Sequence, residues 1–104
     1  MIPFLLRNNR VIDSSVIFGV VRDDTGNPVA QARVSFLAGP VPLPDIAALT
    51  DIDGTFALSA PVAGEYVIAV DMEQFVRKEL KITLESNEEK KHIAISLSRT
   101  KKAN

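Results

Sequence analysis

Thr50-Asp51-Ile52-Asp53-Gly54-Thr55-Phe56-Ala57-Leu58-Ser59-Ala60-Pro61-Val62-Ala63-Gly64-Glu65-Tyr66-Val67-Ile68-Ala69-Val70 reads as turn, strand, turn, strand. Asp51 to Gly54 is a tight turn, and after it Phe56 and Leu58 fall on one face of an extended segment because side chains alternate with period two. Pro61 to Gly64 is a second turn, followed by Tyr66, Ile68 and Val70 on a shared face. Two turns and two alternating strands predict a β-meander.

Working outward towards the amino terminus, Ala32, Val34 and Phe36 alternate with Arg33 and Ser35, a strand with one wet face. Asp23-Asp24-Thr25-Gly26-Asn27-Pro28 is a turn of residues that tolerate left-handed or fixed backbone angles. Before it, Val16 to Arg22 places Ile17, Gly19 and Val21 on one face and Val16, Phe18 and Val20 on the other, so both faces can be covered. Towards the carboxyl terminus, Asp71 to Phe75 is a turn. Leu80, Ile82 and Leu84 alternate with Glu79, Lys81 and Thr83, Glu85 to Lys90 is a charged connector, and Ile93, Ile95 and Leu97 alternate with His92, Ala94 and Ser96. About seven strands, turns every eight to twelve residues and no amphipathic helical pattern predict an all-β, antiparallel, seven-stranded Greek-key sandwich. Its expected core is Phe36, Phe56, Leu58, Tyr66, Ile68, Ile82 and Ile95. The expected layout is a lead-in segment over 1–14, the sandwich over 15–98 and a frayed basic tail over 99–104.

Composition limits the function classes. The 104 residues make one domain, and 12 Lys and Arg against 13 Asp and Glu give a net charge of -1, so no basic field exists for nucleic acid. With no cysteine, disulfides, thiolate nucleophiles and Cys-ligated zinc are excluded. The apolar run at Ile2 to Leu6 is shorter than the core of a signal peptide and has no preceding positive charge, and no stretch is long enough to span a membrane. A cytoplasmic location, or export by a non-classical route, is the resulting expectation.

The whole pattern, Ile17-x-Gly19-x-Val21-x-Asp23-x-x-Gly26-x-Pro28-Val29-x-x-Ala32-x-Val34, then Thr50-Asp51-x-Asp53-Gly54-x-Phe56-x-Leu58, then Gly64-x-Tyr66-x-Ile68-x-Val70, resembles the carboxypeptidase regulatory-like domain, a transthyretin-like sandwich. The resemblance runs from about Val16 to Leu97 and implies a module attached to, or docking on, a larger protein. Gln74 departs from it, standing where the family usually has glycine before an aromatic. The proline-interrupted stretch Ala38 to Asp45 also departs.

Chemistry known in similar sandwiches finds no match in these residues. The transthyretin-related hydrolases of 5-hydroxyisourate use several histidines, an arginine and a terminal Tyr-Arg-Gly-Ser, whereas this chain has one histidine and ends Lys101-Lys102-Ala103-Asn104. Pilin-type sandwiches with a Lys–Asn cross-link place a glutamate where Val70 stands. His92 is expected on the wet face, without the converging partners of a metal ligand or general base. Asp51-x-Asp53-Gly54 opens like a calcium loop but has Val62 at the twelfth position, where such a loop needs glutamate, so it reads as a turn. No catalytic residue, metal site or cofactor is implied.

The expectation is therefore a non-catalytic binding or structural module with a protein partner in trans or a second copy of itself. A carbohydrate- or small-ligand-binding sandwich and a small hydrolase with an unrecognised site are the alternatives. Partner-binding residues are expected in the two apolar segments that do not fit the core alternation: Ile2, Phe4 and Leu5 in the lead-in, and Val41 and Leu43 in the proline loop.

Overall fold

A computed structural model describes residues 15–100, and these form seven strands with no helix. They are β1 (Ser15–Asp23), β2 (Arg33–Ala38), β3 (Ala47–Leu49), β4 (Thr55–Ala60), β5 (Gly64–Asp71), β6 (Lys78–Leu84) and β7 (Lys90–Leu97). One sheet has the order β4-β1-β7 and the other β3-β2-β5-β6. The chain crosses between sheets after β1, β3, β4 and β6, which is what interleaves sequence-adjacent strands into a sandwich.

Strand parity places the core of β4 to β7 as the alternation predicts, and on β1, whose two faces are both apolar in sequence, it is the Ile17 and Val21 face that turns inward. Ile17 and Val21 of β1, Phe56 and Leu58 of β4, Tyr66, Ile68 and Val70 of β5, Ile82 and Leu84 of β6, and Ile95 and Leu97 of β7 are buried in one cluster between the sheets. Phe36, expected there, is half-buried at the rim of that cluster. A register shift between Phe36 and Ala38 bends β2 away just beyond it, so its ring lies against Tyr66, 5.1 Å between centroids, instead of entering the centre.

Four of the strand pairs are antiparallel, but β1 and β7 run parallel, with Gly19 opposite Ile93. The antiparallel expectation thus holds for every pair except this one. A parallel neighbour requires a crossover, and here the crossover is the whole intervening chain. Gly19 is what lets the pair close, because a Cβ on it would sit 1.8 Å from the Ile93 carbonyl oxygen.

The strand β3 emerges from a stretch with no readable alternation, being only three residues long; it adds to the edge of β2 with Ala48 facing inward. Thr50, which follows it, is buried, and its hydroxyl donates to the Val29 carbonyl (2.6 Å) and accepts from the Ala32 amide (2.8 Å). Together with the backbone bonds from the Gln31 amide to the Thr50 carbonyl and from the Thr50 amide to the Ala32 carbonyl, that side chain fixes the entry to β2. Ser15 does the same at the other end: its hydroxyl donates to the Ser86 carbonyl and accepts from the Glu89 amide, holding the β6–β7 connector on β1.

Two of the turns are built by carboxylates. Asp51 accepts from the Asp53 and Thr55 amides on Oδ1 and from the Thr55 hydroxyl on Oδ2, while Gly54 takes φ 78°. Asp23 accepts from the Thr25 amide and hydroxyl and the Asn27 amide on Oδ1. Its Oδ2 accepts from Arg99 Nη2 at 3.1 Å, and the Arg99 guanidinium lies 4.7 Å above the Phe75 ring. Arg99 and Thr100, expected to fray, are held instead: Phe75 bridges Arg99, and the Thr100 amide donates to the Gln74 carbonyl.

Candidate interaction surface

Among the described residues a concavity of about 800 Å³ lies on the outside of the β4-β1-β7 sheet. Its floor is the outward face of β1. Val16, Phe18 and Val20 project there because Ile17 and Val21 take the inward positions, and all three are half-buried. On the β4 side Val16 is opposite Ser59, Phe18 opposite Ala57 and Val20 opposite Thr55. On the β7 side Val16 meets Lys90, Phe18 meets His92 and Val20 meets Ala94. The small neighbours on β4 leave Phe18 open from above.

His92 is exposed, as its parity predicts, and its ring meets Phe18 edge-on at 5.0 Å and 69°. Among the described residues no carboxylate lies within ion-pairing distance of it. The groove has a polarity: Lys90 stands at the Val16 end, Asp51 and Thr55 at the Val20 end, with Leu49 on the rim at 60% exposure. The Asp51 carboxyl is held below its usual 3.8, first by the Thr55 hydroxyl and then by backbone amides, so that end is anionic at neutral pH. Asp51 Oδ1 accepts two turn amides and Oδ2 one hydroxyl, and among the described residues no three acidic, His or Cys side chains cluster.

The proline loop carries a second apolar surface. Leu43 folds inward: a Cβ on Gly39 would come within 2.7 Å of its Cδ1 and 3.0 Å of the Tyr66 ring, and Leu43 packs on the core cluster. Val41 points out at 37% exposure, with Leu37 at 46% and Ile46 at 59%. The two loop residues expected at an interface are therefore placed differently, Leu43 against the core and Val41 at the surface. Ile2, Phe4 and Leu5 lie outside the described residues. The expected site residues do not include the outer face of β1, whose three apolar side chains at period two are legible in the sequence.

Residues 16–98 match the carboxypeptidase regulatory-like domain, and the chain belongs to that family. No curated protein sequence matches it. Among solved structures it is similar to a chain of a type II cohesin–X-dockerin complex from Acetivibrio cellulolyticus, at 20% identity and TM-score 0.60, covering 81% of this chain and 57% of that one. It is also similar to 3-chlorocatechol 1,2-dioxygenase from Rhodococcus opacus, at 12% identity and TM-score 0.65, covering 85% and 61%. A DUF3823 family protein from Parabacteroides merdae aligns at 16% identity and TM-score 0.58, covering 82% and 46%. The chain thus spans roughly half to three-fifths of the length of these neighbours. At these identities the likeness is one of fold, a small β-sandwich that recurs beside unrelated activities.

Proposed function

We propose that this chain is a non-catalytic protein-interaction module that receives an extended apolar segment of a partner protein in the groove outside the β4-β1-β7 sheet. The observation that carries the reading is the character of that groove. The concavity is floored by Val16, Phe18, Val20 and Ala57, and its imidazole has an aromatic neighbour and, among the described residues, no carboxylate partner. A reaction centre needs a nucleophile or base held by an orienting group; a docking surface needs exposed aromatic and aliphatic anchors ringed by polar groups. The opposed charges at the two ends favour a segment with an acidic group meeting Lys90 and a basic group meeting Asp51. Membership of a regulatory-like domain family supports the same reading, as does a neighbour taken from a protein–protein complex.

The test is cross-linked recovery of the partner from the source cell with the parent and two variants of unchanged melting temperature, Phe18→Ser and Val41→Ser. Loss of one specific protein with Phe18→Ser supports the groove. Loss with Val41→Ser alone moves the contact to the proline loop. Indifference to both overturns the reading.

A further inference from the structure

The strand β6 is the outer strand of its sheet, and among the described residues nothing pairs with its free side beyond Val76, whose amide donates to the Ser98 carbonyl at 2.8 Å. The open stretch begins at Arg77. Edge strands are commonly blunted by charge, which works when any approaching strand brings like charges together. Charge alternates in sign along the outward face of β6 and the residue that precedes it: Arg77, Glu79, Lys81, then the neutral Thr83. Lys81 makes no ion pair among the described residues, and Glu79 has only a long one, 3.8 Å to Arg77, whose shorter contact of 3.0 Å goes to Asp71.

We propose that β6 pairs antiparallel with β6 of a second copy of this chain about a two-fold axis at Leu80, joining two four-stranded sheets into one. A two-fold perpendicular to the sheet keeps inward residues beside inward residues, so only registers centred on a residue are open. Centring on Leu80 sets Glu79 opposite Lys81 of the second copy and Lys81 opposite its Glu79, with Arg77 opposite Thr83. On the inward side, Leu80, half-buried in the single chain, meets its own copy and extends the core. The neighbouring registers fail. Centring on Glu79 or on Lys81 places that residue against itself, and centring on Lys78 places two lysines face to face. Charge therefore selects Leu80 among the centres from Lys78 to Lys81, and this register keeps the whole pairing within residues 77–83. A seven-residue edge pairing is a small interface, so the dimer forms at high concentration and dissociates on dilution.

Sedimentation equilibrium over a dilution series up to about 0.5 mM reads it directly, because small interfaces bind weakly. The parent is expected to dimerise reversibly. Lys81→Glu and Glu79→Lys, each replacing two attractive pairs by two repulsive ones across the axis, are expected to weaken association on the order of tenfold to a hundredfold. Both side chains are exposed, so melting of the single chain stays as it was. An equimolar mixture of the two variants restores attraction across the axis and is expected to form a heterodimer. The cysteine-free background allows a second readout: Leu80→Cys is expected to give a symmetric disulfide-linked dimer under mild oxidation, and Glu65→Cys, on the neighbouring strand, is not. A parent that stays monomeric throughout with Leu80→Cys no faster to cross-link than the control overturns the proposal, as does a dimer indifferent to both charge reversals.

Discussion

Tyr66 carries the sharpest stability prediction, because its ring and its hydroxyl do separable work. The ring is wholly buried and rests on Phe36, whereas the hydroxyl donates to the Val62 carbonyl at 2.7 Å and accepts from the Val62 amide at 3.2 Å. The pair of bonds locks the Pro61–Gly64 turn onto β5. Tyr66→Phe keeps the ring in place and removes both bonds. Each such bond contributes about 0.5–1.5 kcal/mol net, and Val62 is half-exposed, so water relieves part of the loss. The expected cost is about 1–2 kcal/mol, at the lower end of the summed range. For a domain of this size that is a fall in melting temperature of roughly 5–15 °C. Calorimetry or urea denaturation gives the magnitude, and amide exchange at Val62, expected to accelerate locally, ties it to the turn. A variant within about 0.5 kcal/mol of the parent, with Val62 exchange unchanged, would refute the assignment, since surface-like substitutions commonly fall within that range.

Two further outcomes follow from backbone and charge. Gln74 occupies φ 73°, so Gln74→Gly, the residue the family usually carries, relieves about 1–2 kcal/mol of left-handed strain against about 0.4–1 kcal/mol of added unfolded-chain entropy. A net gain of roughly 0.5 kcal/mol is expected by chemical denaturation, while Gln74→Val loses stability; the reverse order would contradict the strained turn. The carboxyls of Asp23, Asp51 and Glu89 are held below their ordinary 3.8, 3.8 and 4.5, principally by hydrogen bonds from Thr25, from Thr55 and from the Glu85 amide. Folded values below unfolded ones mean that the stabilisation is complete above the ordinary values and is lost as pH falls through the lower folded ones. Melting temperature is therefore expected to hold from neutrality to about pH 5 and to drop beneath about pH 4, with a shallower drop in Asp23→Asn. A flat profile from pH 7 to 3 would contradict these bonds.

Much of this protein was written in local alternation. Period two assigned Phe56, Leu58, Tyr66, Ile68, Ile82 and Ile95 to the interior and His92 to the wet face, because a strand's pleat fixes the face of each side chain before any partner is chosen; it also assigned Phe36, which the structure leaves half-buried at the rim, and it could not choose between the two apolar faces of β1. The positive φ of Gly54 and the buried ring with a bonded hydroxyl at Tyr66 were likewise consequences of residue chemistry. Gln74, a departure in the sequence, proved to sit in the conformation that favours glycine.

Pairing was beyond local reading, because hydrogen bonds between strands join residues far apart in the chain. Only the tertiary structure made β1 central, flanked it with β7 in parallel, and so turned Val16, Phe18 and Val20 into the floor of a groove. It alone divided Leu43 from Val41, because the choice depends on the space above Gly39 and Tyr66. It also drew Arg99 onto Asp23 and Phe75, since the attraction of a guanidinium for a carboxylate and a ring depends on distances that a linear sequence does not contain.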